Sequence, residues 1–327
     1  MKTSNNSALP APPLSPLILG GNVFGWTASE RESFDILDAF RDTGHTTIDT
    51  ADVYSAWVPG HKGGESESII GNWIHQRRNR DKVVIATKVG ARSEDWSSGT
   101  LNAKYVVEAV ERALRRLRTD YIDICQSHVD DVSCPLEETL EAYDELIRSG
   151  KIRTIGASHH SVGRLSEALQ ISKKNGLAEY STYQVRYNLY DRNEYETSYQ
   201  EYCQESGLRV FCYSALAKGF LTGHHSGDMG ESASPWAETL RAYRTPKGKR
   251  ILKALREVAL NRTATMAEVA IAWLLSRPGV AAAIVAASDR SQLSEFIRAP
   301  TISLTTDELT LLECASTSIE DLPEAGV

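Results

Sequence analysis

The chain has 327 residues, of which 41% are hydrophobic, and its 36 Lys and Arg against 43 Asp and Glu give a net charge of −7. This balance excludes the overall basic character that draws a protein to nucleic acid or to an anionic membrane. No apolar run approaches the ~18 residues that a spanning helix needs, and the length suits one large α/β barrel as well as two domains.

The first sixteen residues are polar and rich in proline, without the apolar segment of a signal peptide, so the sequence predicts a disordered tail over 1–16. One folded domain is expected over 17–318, with a short C-terminal tail over 319–327. The five cysteines are an odd number without metal-ligand spacing. They predict free thiols in a reducing cytoplasm.

Helical and strand patterns alternate along the rest of the chain. Four glycines, at 44, 150, 176 and 207, each follow a helical pattern and precede an apolar β-rich run, as expected where a helix ends in a left-handed residue and feeds a strand. The predicted strands lie near 17–21, 46–49, 82–87, 121–126, 151–157, 180–185, 208–213 and 280–286. The predicted helices lie near 30–43, 65–77, 102–118, 136–149, 161–174, 195–206, 247–259 and 289–298, with further helices at 265–276 and 305–316.

Eight strands alternating with eight helices predict a (β/α)8 TIM barrel, with long loops at its C-terminal face and extra C-terminal helices. Continuous apolar runs such as 83–86 are typical of parallel strands buried on both faces. An open doubly wound sheet is the alternative. It is weakened because no GxGxxG motif follows an early strand.

Polar or ionisable residues stand where the predicted strands end. In a barrel these ends meet at one mouth, where the chemistry of such folds takes place. The residues at the strand ends are Asp49, Lys88, His128, Ser158, Gln184 and Tyr213.

The residue types at these strand ends are typical of a site that protonates a carbonyl oxygen. The Tyr54 phenol, five residues after Asp49, has an ordinary pKa near ~10 and can donate a proton at neutral pH if its phenolate is stabilised. The Lys88 ammonium can do that, with the Asp49 carboxylate holding it charged. His128 adds a donor that can polarise a carbonyl. No metal is required.

Six blocks carry a resemblance to a known family: IDTADVY (48–54), ATKVG (86–90), DYIDICQSH (120–128), KIRTIGASH (151–159), YQVRYNLYDR (183–192) and YSALAKGFLTG (213–223). In order and spacing the chain resembles the aldo-keto reductases from about residue 14 to 316. The resemblance implies an NAD(P)H-dependent oxidoreductase that reduces an aldehyde or ketone reversibly. It places the family's catalytic set on Asp49, Tyr54, Lys88 and His128, with Tyr54 as general acid.

The same resemblance implies a nicotinamide dinucleotide across the barrel mouth, NADP(H) in preference to NAD(H). It maps the carboxamide contacts onto Ser158 and Gln184, the ring-stacking aromatic onto Tyr213, and His159 onto the usual asparagine position. The pyrophosphate contacts map onto Ser214, Leu216, Lys218, Gly219 and Leu221. The last strand–helix turn departs from the family pattern, with Ala286, Ala287 or Ser288, and Phe296 at the usual adenosine-side positions. The adenosine contacts predicted there are Ala287, Ser288, Arg290 and Gln292; Ser288 and Arg290 could bind a 2′-phosphate, whereas Asp289 would repel one.

Loops after the strand ends are expected to set substrate selectivity. Trp26 and Trp57 are predicted to contact the substrate, and the long stretch 223–246 is predicted to act as a lid. A small carbonyl or alcohol is the expected partner, and monomer and homo-oligomer both stay open. The His159–His160 and His224–His225 pairs lack a third ligand at recognisable spacing, so no metal site is predicted.

Two other functions stay open. Lys88 could be the nucleophile of a Schiff-base aldolase. The chain could also be a non-catalytic, cofactor-sensing accessory subunit, because some members of the family it resembles serve as channel partners.

Overall fold

The strands form a closed barrel. The computed structural model describes residues 13–91, 99–224 and 237–317. Eight parallel strands follow one another around the barrel in chain order, and β8 closes it by pairing with β1. They are β1 Leu17–Gly20, β2 Thr47–Asp49, β3 Val84–Val89, β4 Ile122–Ser127, β5 Ile152–Ser158, β6 Tyr180–Arg186, β7 Arg209–Tyr213 and β8 Val280–Val285. The predicted TIM barrel is confirmed.

Helices cover the outside of the barrel and extend the chain beyond β8. In chain order they are α1 Glu30–Asp42, α2 Glu65–Arg77, α3 Ala103–Leu117, α4 Leu136–Arg148, α5 Val162–Asn175, α6 Gln200–Ser206, α7 Ala237–Ala242, α8 Pro246–Arg262, α9 Met266–Leu275, α10 Arg290–Ser294 and α11 Thr306–Ser316. Short 3₁₀ turns occur at Gly21–Val23, Arg80–Lys82, Ala217–Thr222 and Ala299–Thr301. None of the helices in these described ranges is long and apolar enough to cross a membrane.

Three elements differ from the sequence expectation. The helix predicted at 195–206 opens with a π-helical turn, Tyr195–Tyr199, before α6. The helix predicted at 289–298 is only five residues long, because the chain after it turns toward a 3₁₀ segment at Ala299–Thr301. A short helix, α7, lies within the stretch predicted as a lid.

Local sequence signals explain where many of the helices begin. Ser29, Thr265 and Thr305 each form a capping box with a glutamate three residues later, which satisfies the free N–H groups of the first turn. The four glycines between helices and strands all adopt positive φ, from 64° to 88°. Those turns therefore behave as the sequence predicts.

Small and branched side chains fill the interior of the barrel. Seven buried residues from five strands form a cluster separate from the layer between strands and helices: Ile18, Val84, Ala86, Ile124, Phe211, Ala282 and Ile284. Lys88 continues the alternation of Val84 and Ala86 along β3, so an ammonium follows two apolar side chains toward the C-terminal end. The interior therefore changes from apolar to polar at the mouth.

The predicted N-terminal tail is partly wrong. Residues 1–12 and 318–327 lie outside the described residues, but Ser15 and Pro16 are bonded to the barrel. The Ser15 N–H donates to Thr47 Oγ1 at 3.1 Å, and the Pro16 carbonyl accepts from the Ala283 N–H at 3.0 Å. The reason is that these residues bridge the lower ends of β2 and β8, which local composition does not reveal.

Candidate active site

A buried ion pair lies at the centre of the mouth. Lys88 Nζ, at the end of β3, is 2.6 Å from Asp49 Oδ2 at the end of β2, and it also donates to the Thr50 carbonyl at 2.7 Å. The two side chains are 1% and 2% exposed. Burial opposes the ammonium charge, but Asp49 and the Tyr54 hydroxyl outweigh it and raise the pKa of Lys88. Lys88 is therefore charged at neutral pH.

Tyr54 lies directly beside this pair. The Lys88 ammonium is 4.8 Å from the centre of the Tyr54 ring. Burial raises the pKa of Tyr54 and Asp49 adds to the rise, whereas Lys88 lowers it without cancelling the other two. The effects of burial and of Asp49 on this pKa are not apparent from the sequence. Because the pKa is raised, Tyr54 carries its proton at neutral pH, which is the form that an acid needs.

The remaining carboxylate oxygen of Asp49 is held by amides. Gln184 Nε2, on β6, donates to Asp49 Oδ1 at 2.9 Å, and Gln126 Nε2, on β4, is 3.5 Å from the same oxygen. Gln126 is fully buried, and the sequence analysis missed it. Its register beside Lys88 in the β3–β4 pairing was the available signal. These contacts fix the orientation of the carboxylate toward Lys88.

Aromatic and imidazole rings continue from this centre across the mouth. The His128 ring is 6.1 Å from Tyr54 and 6.4 Å from His159, which in turn is 5.8 Å from Tyr213. Burial, together with the charge of Lys88 and the neighbouring His159, lowers the pKa of His128 well below its usual value. His128 is therefore neutral, and a neutral imidazole still carries one N–H donor.

Two tryptophans also lie near Tyr54. The Trp57 ring lies 6.1 Å from Tyr54 and 5.4 Å from Trp26, edge to face. Trp57 is 39% exposed although it is large and apolar. The structure thus brings both predicted substrate contacts to the edge of the same cleft.

The turn after β7 is strained in the region predicted to bind pyrophosphate. Ser214, Ala217 and Lys218 all have positive φ, between 49° and 58°, and Gly219 follows at 93°. Such backbone strain in non-glycine residues concentrates at functional sites. Leu221 is fully buried in the core. Leu216 is half-buried against the same core.

A cation beside this turn was missed by the sequence analysis. Arg186 ends β6, is exposed, and pairs in register with Tyr213. Burial, and then the charge of Arg186, lowers the pKa of Lys218. The two positive charges repel one another, and a bound anion close to both would relieve that repulsion.

The β8–α10 turn carries the predicted adenosine contacts. Ser288 Oγ is 2.7 Å from Thr27 Oγ1, and its N–H donates to Gln292 Oε1 at 2.9 Å. Asp289 caps α10 by accepting the Gln292 N–H at 2.9 Å, which gives this carboxylate a structural role. Arg290 is exposed, whereas Ala287 is buried.

A second buried charge cluster lies behind the ion pair and was also missed. Glu67 is fully buried, accepts from Thr87 Oγ1 at 2.5 Å and pairs with Arg116 at 2.6 Å. Burial and the charge of Glu67 raise the pKa of Asp52 to about 7, while Arg116 opposes the rise. Asp52 lies between Asp49 and Tyr54 in sequence, and its N–H donates to the Lys88 carbonyl at 3.0 Å.

Half of the predicted lid, residues 225–236, lies outside the described residues, and His225 lies within that half. His224 contacts Glu295 Oε2 at 2.8 Å, and His160 contacts the Ser158 carbonyl. Within the described ranges no group of three or more His, Cys, Asp or Glu is placed to hold a metal ion.

Comparisons with known proteins identify relatives along almost the whole chain. The family model described as the aldo/keto reductase family matches residues 16–316. The chain is 33% identical to aldo-keto reductase YhdN of Bacillus subtilis over 84% of this chain and 80% of the relative. It is 30% identical to versiconal hemiacetal acetate reductase of Aspergillus parasiticus, over 88% of each chain. It is also 30% identical to a putative voltage-gated potassium channel subunit beta of Schizosaccharomyces pombe, over 84% and 82%.

Proposed function

This chain belongs to the aldo/keto reductase family, and on that premise we propose that it reduces an aldehyde or ketone with a nicotinamide dinucleotide, reversibly. The observation that carries the proposal is the buried Lys88–Asp49 pair beside a protonated Tyr54. These three groups and His128 converge on one point at the mouth of the barrel. Family membership and the relatives named as reductases support an oxidoreductase acting on carbonyl groups.

Tyr54 is the general acid in this proposal. When negative charge develops on the carbonyl oxygen, Tyr54 gives up its proton and becomes a phenolate. The Lys88 ammonium, whose Nζ lies 4.8 Å from the centre of the Tyr54 ring, stabilises that phenolate, and Asp49 keeps Lys88 charged and fixed in place. The raised pKa of Tyr54 keeps the proton available until the substrate arrives.

His128 orients the carbonyl. A neutral imidazole on the opposite side of Tyr54 can donate one hydrogen bond to the carbonyl oxygen without competing for the proton. The oxygen then lies between two donors, the phenol and the imidazole. This arrangement fixes the carbonyl carbon toward the open side of the mouth.

The residues around the mouth fit a nicotinamide dinucleotide. When bound, this cofactor supplies the hydride. The Tyr213 ring offers a stacking face, and Lys218 with Arg186 offers charge for phosphates. Ser158 Oγ donates to the Gln184 carbonyl at 3.0 Å and Gln184 Nε2 donates to Asp49, so Ser158 Oγ and Gln184 Oε1 are proposed to accept from a carboxamide. Because Asp289 is engaged in capping α10, it is directed at the helix rather than at a ligand, and Ser288 and Arg290 support NADPH over NADH.

Trp26 and Trp57 are proposed to contact the substrate. Trp57 is exposed beside Tyr54 and meets Trp26 edge to face. The two rings provide an apolar surface for the part of the substrate beyond its carbonyl group.

The structure disfavours the aldolase alternative. A Schiff-base nucleophile must be uncharged, whereas the pKa of Lys88 is raised because Asp49 and Tyr54 outweigh burial. A cofactor-sensing role is the second candidate function. It is favoured only by the name of the channel-subunit relative.

The test combines cofactor binding with turnover. Fluorescence titration with NADPH and with NADH should give saturable quenching, tighter for NADPH. A panel of aldehydes and ketones should then be reduced by the wild type, whereas Tyr54→Phe should lose about 10²–10⁴-fold in turnover with its cofactor affinity nearly unchanged. Binding without any turnover across the panel would support the sensing role, and no binding would overturn both functions.

A further inference from the structure

The turn that follows β5 holds a histidine in an unusual conformation. His159 has φ of 50°, in the left-handed region that non-glycine residues rarely adopt, and its ring is exposed at the mouth between His128 and Tyr213. The surrounding structure must hold this backbone in place, because the residue does not favour it on its own.

The next residue supplies that restraint. The His160 ring is fully buried, and its Nδ1 lies 2.7 Å from the Ser158 carbonyl oxygen. Because a carbonyl only accepts, Nδ1 carries the proton and donates. The Tyr183 hydroxyl donates to the His160 carbonyl at 2.9 Å. A side-chain bond to the carbonyl two residues earlier spans both peptide units of His159 and therefore fixes its φ and ψ.

The other edge of the His160 ring faces a carboxylate. His160 Nε2 is 3.6 Å from Asp130 Oδ1 and has no hydrogen-bond partner within the described ranges. Asp130 is itself held by Arg164, whose Nε lies 3.0 Å from Oδ2 and whose NH2 lies 3.2 Å from Oδ1. The Tyr180 ring lies edge-on to the imidazole at 5.9 Å.

A change of charge on His160 would alter these distances. Burial lowers the pKa of His160 although Asp130 opposes the shift, so the ring is neutral at pH 7, with the Nε2 lone pair facing the carboxylate. A second proton would convert Nε2 into a donor aimed at Asp130. Closing the 3.6 Å gap to hydrogen-bond length would draw the ring away from the Ser158 carbonyl.

We propose that His160 is a positioning residue for the nicotinamide end of the site. When neutral it holds the Ser158–His159 turn against Tyr213, and when protonated it shifts toward Asp130 and releases that turn. The groups that face it are Asp130 from the loop after β4, Arg164 from α5, Tyr180 and Tyr183 from β6, and the adjacent His159. The inference rests on the proposed nicotinamide site and adds a pH-dependent restraint to it.

Two substitutions separate the hydrogen bond from the charge. His160→Asn keeps an N–H donor near the Nδ1 position but cannot gain a proton, and His160→Phe keeps a ring but cannot donate. His45→Phe is the control for a His-to-Phe exchange away from the mouth, because His45 is a partly buried histidine stacked on Phe40 before β2. NADPH affinity of each variant and of the wild type is measured by fluorescence quenching between about pH 5 and pH 8.

We expect His160→Phe to raise the Kd for NADPH roughly five- to tenfold at pH 7.5, with KM for NADPH affected more than kcat. His160→Asn should retain affinity at pH 7.5 and lack the loss of affinity that the wild type shows toward pH 5. All other titrating groups, including those of NADPH, are the same for the wild type and His160→Asn. A difference between their pH profiles therefore reports on His160. His45→Phe should match the wild type, and thermal unfolding reports whether each variant is folded.

An unchanged Kd in folded His160→Phe, or a wild-type acid limb in His160→Asn, would overturn this inference while leaving the proposed function intact. If the wild type binds neither nicotinamide nucleotide, the proposed function and the inference both fail.

Discussion

Replacing Lys88 with methionine tests whether the central ion pair is a buried, charged contact. The substitution removes an ammonium that is 1% exposed and leaves Asp49 without a cation, held by neutral donors such as Gln184 at 2.9 Å and Gln126 at 3.5 Å. The Thr50 carbonyl also loses its donor at 2.7 Å. Breaking a buried pair from one side costs about 3–5 kcal/mol, because the other charge stays buried without its partner. We expect the free energy of unfolding to fall by this amount.

The assay is a double-mutant cycle in urea, followed by circular dichroism, with Asp49→Asn and the Lys88→Met/Asp49→Asn double variant. The double variant has no buried charge at this point. We expect it to be more stable than Lys88→Met alone, with a coupling free energy of about 1–3 kcal/mol. Two results would refute this reasoning. One is a loss of less than about 1 kcal/mol in the unfolding free energy of Lys88→Met, which is the range of solvent-exposed ion pairs. The other is a coupling free energy of zero between the two substitutions.

Three further predictions concern a carboxyl group, a helix contact and the substrate wall. Asp52→Asn should stabilise the protein at pH 8 by roughly 2–4 kcal/mol and have little effect near pH 4. This follows because the pKa of Asp52 is raised to about 7 in the folded state, against roughly 4 in the unfolded chain. The stability of the wild type therefore falls as pH rises from about 4 to about 7 and no longer changes through this group above that range; equal effects at both pH values in urea titrations would contradict it. Gly71→Ala should lower the free energy of unfolding by about 1–3 kcal/mol or more, because a Cβ at this position would lie 2.1 Å from the Arg116 carbonyl oxygen. Gly163→Ala is the control, because the nearest atom to a Cβ there is 3.8 Å away. Trp57→Ala should change the order of kcat/KM across a carbonyl panel, and an unchanged order would remove Trp57 from the substrate site.

The barrel and the centre of the site could be predicted from the sequence because both depend on local signals. Helix–glycine–strand boundaries fix the order of the elements, and parallel strands bring their ends to one mouth. Asp49, Tyr54, Lys88 and His128 therefore meet without any knowledge of side-chain packing.

Contacts across the barrel could not be predicted, because they join residues far apart in the chain. Gln126 reaches Asp49 across 77 positions. The pairing of Asp130 with Arg164 beside His160 depends on how α5 packs against the loop after β4. The raised pKa of Tyr54 was missed for a related reason: burial outweighs the lysine, and burial is a property of the folded protein.

The most direct test of the proposed hydride transfer follows a deuterium atom from the cofactor to the alcohol product. The wild type and Tyr54→Phe are incubated with a reducible carbonyl and with NADPH that carries deuterium at the transferable position of the nicotinamide ring, and the alcohol product is analysed by mass spectrometry. We expect one deuterium on the former carbonyl carbon with the wild type, and about 10²–10⁴-fold less labelled alcohol in the same time with Tyr54→Phe. Alcohol without deuterium, or equal labelled product from both proteins, would contradict it.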